Sequence, residues 1–475
     1  MSGRGAGARD ELPWTTRAFI GLSWGLAFHI AAVAAAFGLL RLDADSVLLL
    51  AAWKEAAVVL LVVAVLARTA AGHGPTVVVQ TADLAVGTVL ALTLVHAVAS
   101  LAGLGPGATA RELALGVRDV AFCFALYLVG RLTPEIANAP RVLGHLFAIG
   151  VVTSAVAVVE WWLVTPEALV LLGAASYFNE FLGLEAITTG NIFGLPDNYW
   201  TVIGGRVVQR AGSVYLSSQG FAIPFLLIIP AATVWMNVRA RWTSPPAVAA
   251  YALAWGGLLL SVTRMTTAAC GVQVLLLLLI ARRPSRVLGV ALAGVAVAAV
   301  LLVAVPGMAS FVWETVTWQT GSSASHSKDW VNGLAALWRH PLGSGLGTAD
   351  QTAMRLGRDP LTADNLFLKY GVELGIPALV AYVATFAAVL WVSLRAALFD
   401  ASPRRRALAS FVTACAVGVA INGATAVLTN SPTIAYLFWW LAGSAIAAFG
   451  ARVPRPRAVA RRTATAPGPA PALPS

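Results

Sequence analysis

The feature that most constrains this chain is a series of continuous apolar runs, each about twenty residues long, which suits a helix crossing a bilayer. Of the 475 residues 59% are hydrophobic and only 11% are charged, whereas a soluble chain carries about a quarter charged residues. The runs are continuous rather than alternating, which disfavours membrane-spanning strands. The sequence therefore predicts an all-α polytopic membrane protein.

The apolar runs predict about twelve transmembrane helices, two long outer loops and one short tail. The first run is too long for the core of a cleaved signal peptide, so we expect it to remain as a span. Residues 1–450 would form one transmembrane domain, with outer loops at about 165–217 and 309–371, and 451–475 would be a disordered cytoplasmic tail. The predicted spans are 17–40, 46–67, 82–103, 114–132, 142–164, 218–238, 246–263, 265–281, 287–308, 372–394, 407–428 and 432–450.

Charge in the loops predicts the orientation. If both termini are cytoplasmic, most of the 32 Lys and Arg residues fall on the inner side, as the positive-inside rule requires. The same asymmetry accounts for the net charge of +11 without a nucleic-acid partner. In this orientation Asp364, Asn365 and Lys369 are expected at the outer water boundary.

Charged residues also occur within the predicted spans. Lys54–Glu55 and Arg118–Asp119 are adjacent basic–acidic pairs near outer ends, and Glu373 begins the tenth predicted span. Charges inside spans are rare and usually mark a functional pathway. The simpler alternative is a local ion pair that lets each dipeptide insert. The similarity of 53–68 to 117–131 also hints at an internal repeat.

Several cations are predicted on the outer side, against the usual bias. An anionic ligand at the membrane boundary would explain them, since the planar guanidinium binds phosphate through two hydrogen bonds. The alternative is that they are solvated loop charges, which fits Arg264 least because its predicted turn is so short. These residues are Arg206, Arg210, Arg264, Lys328, Arg339, Arg355 and Arg358.

Motifs of several enzyme classes are missing from the sequence. There is no phosphate-binding glycine loop, nucleophile elbow or zinc-protease motif. The three cysteines lie in separate apolar runs, and their spacing suggests neither a metal site nor a disulfide. We therefore predict no metal and no cofactor. His326 and His340 lie in the second outer loop, where either side chain could reach a site.

Four stretches together resemble the O-antigen ligase and O-antigen polymerase superfamily, which comprises GT-C-like integral membrane glycosyltransferases that use polyprenyl-pyrophosphate-linked glycans. Their order, spacing and common outer placement carry the resemblance. The stretches are "RAGSVYLSSQGFAIPFLLIIP" (210–230), "LLLSVTRMTTAACGVQVLLLLL" (258–279), "WVNGLAALWRHPLGSGLGT" (330–348) and "TADNLFLKYGVELGIPALVAY" (362–382).

The fourth stretch departs from the family pattern of His-Asn, nine residues and then Gly-x-x-Gly. Asp364 stands at the position of the histidine, and Ala378 replaces the second glycine after Gly375. In the ligases that histidine is the proposed general base. A carboxylate can also take a proton from a sugar hydroxyl. His326, His340 or Glu373 are alternative bases.

The resemblance implies an inverting, metal-independent transfer of a glycan from a polyprenyl pyrophosphate to a glycan or glycolipid acceptor. It would occur at the outer face of a bacterial cytoplasmic membrane, with the donor lipid held by the bilayer. Arg210 and Arg264 would stabilise the leaving group, Asp364 would be the base, and Asn365 would orient it or the substrate. The predicted substrate contacts are Lys54, Arg118, Asn365, His326, Lys328, Trp330, His340 and Glu373.

Two other classes of protein remain compatible with the sequence. A transporter or flippase would also have many spans and intramembrane charges, but its charges should follow a path through the bilayer. A non-catalytic scaffold for envelope assembly also stays compatible, because the family histidine is missing. Within the enzyme class, the sequence does not separate polymerase from ligase.

Overall fold

The structure is a computed structural model, and it is built almost entirely from helices. It describes residues 12–450 except 105–108, 189, 283, 318, 320, 356 and 363. The tail predicted to be disordered, 451–475, lies outside the described residues.

Eight helices lie between Trp14 and Ser176, and several of them are continued by π-helical turns. Such turns extend α1 to Leu39 and α3 to His73. The helices are α1 (Trp14–Ala34), α2 (Ala44–Ala51), α3 (Trp53–Arg68), α4 (Thr81–Leu101), α5 (Ala110–Arg131), α6 (Pro140–Leu163), α7 (Pro166–Leu171) and α8 (Ala174–Ser176).

The rest of the described chain contains one two-stranded sheet and twelve further helices. The strands are β1 (Trp200–Ile203) and β2 (Arg206–Gln209), which pair antiparallel with Trp200 opposite Gln209. The helices are α9 (Ser218–Ala222), α10 (Phe225–Val238), α11 (Pro245–Leu260), α12 (Arg264–Ile280), α13 (Pro284–Ala304), α14 (Met308–Val316), α15 (Gly321–Arg339), α16 (Asp350–Arg355), α17 (Leu366–Leu374), α18 (Ile376–Phe399), α19 (Pro403–Gly423) and α20 (Pro432–Phe449).

Nine helical segments in the described residues are long and apolar enough to cross a membrane, which confirms the all-α polytopic class. Helices α11, α12 and α13 correspond to the other three predicted spans, but their apolar parts are shorter, so the count of twelve remains a prediction. The long segments are Trp14–Leu39, Ala44–His73, Thr81–Leu101, Leu113–Arg131, Pro140–Leu163, Ser218–Val238, Ile376–Phe399, Pro403–Gly423 and Pro432–Phe449.

Helices α5 and α20 pack closely because glycines face each other at their crossing. A Cβ atom on Gly443 would lie 2.0 Å from the backbone oxygen of Tyr127, and one on Gly130 would lie 2.2 Å from that of Trp440. Small residues at a crossing let two backbones approach, which is a common way for membrane helices to associate. This contact fixes α5, which carries Arg118 and Asp119.

The first predicted outer loop packs against the end of the ninth predicted span, just before the second predicted outer loop begins. The hairpin β1–β2 turns at Gly204, and a Cβ atom on Gly307 would lie 2.0 Å from the Cα atom of Gly204. Both glycines have positive φ, 57° and 80°, so this contact uses conformations that other residues rarely adopt. The hairpin is therefore packed against the segment that leads into the second predicted outer loop.

The tenth predicted span begins later than expected. Gly375, with φ of 90°, separates α17 from α18, and the Ile376 amide donates a hydrogen bond of 2.8 Å to the Pro341 carbonyl. The prediction that Glu373 begins this span is therefore wrong, because Glu373 belongs to the short helix α17.

Candidate functional site

A cavity of about 560 Å³, called here the first cavity, lies where the two long loops meet the helix ends. It brings together five predicted site residues that are distant in sequence: Arg210, Arg264, His326, Trp330 and Asp364 all line it. They come from the end of β2, the start of α12, helix α15 and the segment before α17. Their grouping makes this cavity the candidate site.

Arg210 is held by the turn between α11 and α12. Its Nε donates to the Ser261 carbonyl at 2.8 Å, and its Nη2 donates to the Thr263 hydroxyl at 3.0 Å. Burial, and then the positive charge of Arg264, lower the pKa of Arg210 to about 10. This value is still well above neutrality, so the guanidinium stays cationic at pH 7.

Arg264 is the second cation of the first cavity and begins α12. Its Nη1 donates to the Thr315 hydroxyl at 2.5 Å, and its guanidinium lies 4.9 Å from the centre of the Phe311 ring. Within the part of the chain that the structure describes, no carboxylate pairs with Arg210 or Arg264. Two adjacent, partly buried cations repel each other unless an anion lies between them.

Glu160, near the end of α6, positions the segment that follows Arg210. Its carboxylate accepts hydrogen bonds from the Gly212 amide at 3.1 Å and from the Ser213 amide, and its side chain is buried. A carboxylate that accepts backbone amides stabilises a tight turn. Glu160 is not among the predicted site residues, although an acidic residue inside a predicted span is a usable signal.

Asp364 lies beside His326, with 3.3 Å between its Oδ2 and Nδ1 of the imidazole. The carboxylate remains 38% exposed, so a molecule in the cavity could reach it. Burial raises the pKa of Asp364, a positive charge on His326 opposes this, and Asp329 and Asp350 raise it further. The result is a carboxylate that is more basic than usual, next to an imidazole.

Asp329, on α15, positions the segment that carries Asp364. Its Oδ2 accepts hydrogen bonds from the Asp364 amide and from the Thr362 hydroxyl, each at 3.0 Å. Both His326 and Asp329 belong to α15, so this helix determines where the Asp364 carboxylate lies. Sequence reasoning did not single out Asp329, because a polar helix in an outer loop gives no signal for one of its acids.

Asn365 and Trp330 stabilise the wall of the cavity. Asn365 caps α17 by accepting hydrogen bonds from the Phe367 and Leu368 amides at 3.0 and 2.9 Å. Its Nδ2 and the Trp330 Nε1 both donate to the Ala424 carbonyl, at 3.0 and 2.9 Å. The Asn365 side chain is therefore occupied within the protein, and its predicted contact with substrate remains a prediction.

Three other predicted site residues lie away from the lining of the first cavity. Lys328 and His340 are exposed, one on α15 and one just after it. Glu373 is buried, and its Oε1 accepts hydrogen bonds from the Gly347 and Ala349 amides at 3.1 and 3.3 Å. Glu373 thus holds the glycine-rich segment in place.

Lys369 does not lie at the water boundary, and that expectation is wrong. Its side chain is buried, its ammonium forms a close ion pair with Asp350, and it lies 3.6 Å from Asp119. Burying a cation requires such partners, and here they come from α5 and α16.

Lys54 and Arg118 line a different cavity of about 420 Å³, called here the second cavity, which shares no lining residue with the first. Each is paired with its neighbour, at 3.1 Å for Lys54–Glu55 and 2.9 Å for Arg118–Asp119. The local ion pairs considered in the sequence analysis are therefore present. The structure does not bring Lys54 and Arg118 together with Arg210 and Arg264.

In the described parts of the chain no cluster of three or more His, Cys, Asp or Glu residues is arranged to hold a metal ion.

Comparison with known proteins supports the resemblance. No curated protein matches the chain. Residues 249–383 match the family described as O-antigen ligase, and this segment includes Arg264, His326, Trp330 and Asp364. The match confirms the resemblance: over residues 249–383 the chain is similar to the O-antigen ligase family.

Proposed function

We propose that this protein transfers a glycan from a polyprenyl-pyrophosphate donor to an acceptor hydroxyl at the outer face of a bacterial cytoplasmic membrane. The family match supports glycosyltransferase activity of the O-antigen ligase or polymerase type in general. The observation that carries the finer proposal is the first cavity, in which an Asp–His pair and two arginines with no carboxylate partner among the described residues line the same space.

The two arginines would stabilise the leaving group. When the bond between the anomeric carbon and the phosphate oxygen breaks, its electron pair stays on the oxygen, and the polyprenyl pyrophosphate leaves with added negative charge. Arg210 and Arg264 are held by neutral partners, Ser261, Thr263 and Thr315, so no carboxylate in the described part of the chain neutralises their positive charge. Fixed cations of this kind often supply the largest part of catalysis.

Asp364 would act as the general base. As the acceptor hydroxyl attacks the anomeric carbon from the face opposite the pyrophosphate, its proton passes to the carboxylate, and the configuration inverts. The raised pKa of Asp364 makes its carboxylate a stronger base. The neighbouring His326 imidazole can interact with the Asp364 side chain before and after it takes the proton. His340 and Glu373 have less support as bases, because one lies outside the cavity lining and the other binds two backbone amides.

The test is glycan transfer by the purified full chain in nanodiscs, with host polyprenyl-pyrophosphate glycans as donors and EDTA present. We expect Arg210→Gln or Arg264→Gln to lower kcat at least about 100-fold, because each removes charge stabilisation from the transition state. Arg239→Gln is the matched control, since Arg239 is exposed and does not line the first cavity.

Two outcomes would contradict the proposal. If folded wild type consumes no donor under any condition, transport or a scaffold role gains support. If both arginine variants keep full activity while the wild type is active, the first cavity is not the transfer site.

A further inference from the structure

The second cavity lies among α1, α3, α5, α16 and the start of α20. Its lining includes three cations, Lys54, Arg118 and Arg355, and two carboxylates, Glu55 and Asp119. The chain thus has a second polar cavity whose residues play no part in the proposed transfer.

The charges in this cavity are not fully paired. Lys54 pairs with Glu55, and Arg118 pairs with Asp119, so both carboxylates already have a cation. Asp119 has further partners, since its Oδ2 accepts a hydrogen bond from Thr352 at 2.9 Å and lies 3.6 Å from Lys369. The third cation of the lining, Arg355, is therefore in excess.

Arg355 and Thr429 present polar atoms that lack partners. The Arg355 Nε and the Thr429 Oγ1 are buried, and neither forms a hydrogen bond with any described residue. A buried donor without a partner costs about 1–3 kcal/mol, and more when it is charged. An anion in the cavity would satisfy both groups.

We infer that the second cavity binds a phosphate-bearing molecule at a site separate from the first cavity. Arg355 offers a planar guanidinium whose Nε has no hydrogen-bond partner among the described residues, and a guanidinium suits the paired oxygens of a phosphate group. Lys54 and Arg118 add positive charge nearby, and Thr429 adds a hydroxyl. The cavity is large enough for a headgroup or a pyrophosphate, and this inference goes beyond the proposed transfer because it does not depend on Asp364 or on any donor glycan.

The test measures binding of labelled inorganic pyrophosphate by equilibrium dialysis, with the full chain in dodecyl maltoside. All measurements are made in an Arg210→Gln, Arg264→Gln background, so binding in the first cavity does not contribute. We expect one equivalent of pyrophosphate to bind per chain. Arg355→Gln should raise the Kd at least about tenfold, because a charged hydrogen bond is lost. Arg355→Lys should retain part of the affinity, and Arg239→Gln should change nothing.

A lipid arm identifies the source of the phosphate. The same protein is placed in phosphatidylcholine nanodiscs with and without phosphatidic acid. Displacement of pyrophosphate by phosphatidic acid shows that the site accepts a lipid headgroup, and retention shows that it takes a soluble phosphate compound. Both results support a phosphate site. The inference is overturned if the background protein, which keeps Arg355, binds no pyrophosphate. It is also overturned if the Arg355→Gln variant binds pyrophosphate as tightly as the background protein does.

Discussion

At the residue scale, the Asp–His pair of the first cavity suggests how the role of one residue can be divided between two. The family pattern has a histidine where this chain has Asp364, and the Nδ1 atom of His326, on α15, lies 3.3 Å from the Asp364 carboxylate. Under the proposed mechanism the carboxylate takes the proton, while the imidazole adjusts its basicity. The sequence contains both residues, but 38 positions apart, so nothing in the linear pattern links them.

The pair predicts a specific dependence of activity on pH. A general base works only when deprotonated, so kcat/KM should fall as the pH drops through the pKa of Asp364. His326→Gln removes a positive charge that lowers this pKa, while burial, Asp329 and Asp350 still raise it. The acid limb of the pH profile should therefore move to higher pH, with activity kept at alkaline pH. The measurement is kcat/KM against pH for wild type and His326→Gln.

Asp364→Asn supplies the comparison for this experiment. It should remove most activity at every pH, because an amide cannot accept the proton. If His326→Gln is instead inactive throughout the pH range while Asp364→Asn stays active, the imidazole is the base.

At the scale of the elements, prediction succeeded where the signal is local and failed where distant contacts decide. Apolar runs marked the long helices because about twenty apolar residues suffice to indicate a span. The break at Gly375 was missed because the Ile376 amide is bound by Pro341, which lies in another segment. The burial of Lys369 was missed for the same reason, since its partners Asp119 and Asp350 come from elsewhere in the chain.

The crossing of α5 and α20 predicts that one glycine limits the stability of the helix bundle. Gly443→Leu would force its side chain against the Tyr127 backbone, where even a Cβ atom would lie 2.0 Å from the carbonyl oxygen. Overpacking of this kind costs about 1–3 kcal/mol or more. We expect Gly443→Leu to unfold at a lower temperature than wild type. The measurement is the unfolding temperature in detergent, monitored by tryptophan fluorescence.

Gly87→Leu is the matched control for that variant. Gly87 lies in α4, and a Cβ atom there would meet nothing within 4 Å. If both variants unfold at the same temperature as wild type, the close crossing of α5 and α20 does not limit stability.

At the scale of the whole molecule, one nine-residue helix connects the two cavities. Asp364 lies just before α17 and lines the first cavity, while Lys369 within α17 contacts Asp119, which lines the second. The sequence predicts one site for all these charges, because they share a predicted position at the outer face of the membrane. Their division between two cavities depends on how the helices pack, which the order of the residues does not reveal.

The orientation of the molecule gives the last prediction. Most cations fall on the predicted inner side, so the hairpin β1–β2 and both cavities should face outward. The three natural cysteines are buried, which lets single introduced cysteines report on exposure. In right-side-out vesicles, a membrane-impermeant maleimide should label Arg206→Cys, in the exposed hairpin, but should not label Arg239→Cys, after α10, until the vesicles are permeabilised. The reverse pattern would place both cavities in the cytoplasm, where they could not meet an acceptor on the outer face, and the proposed transfer reaction would have to be abandoned in favour of an inward-facing one.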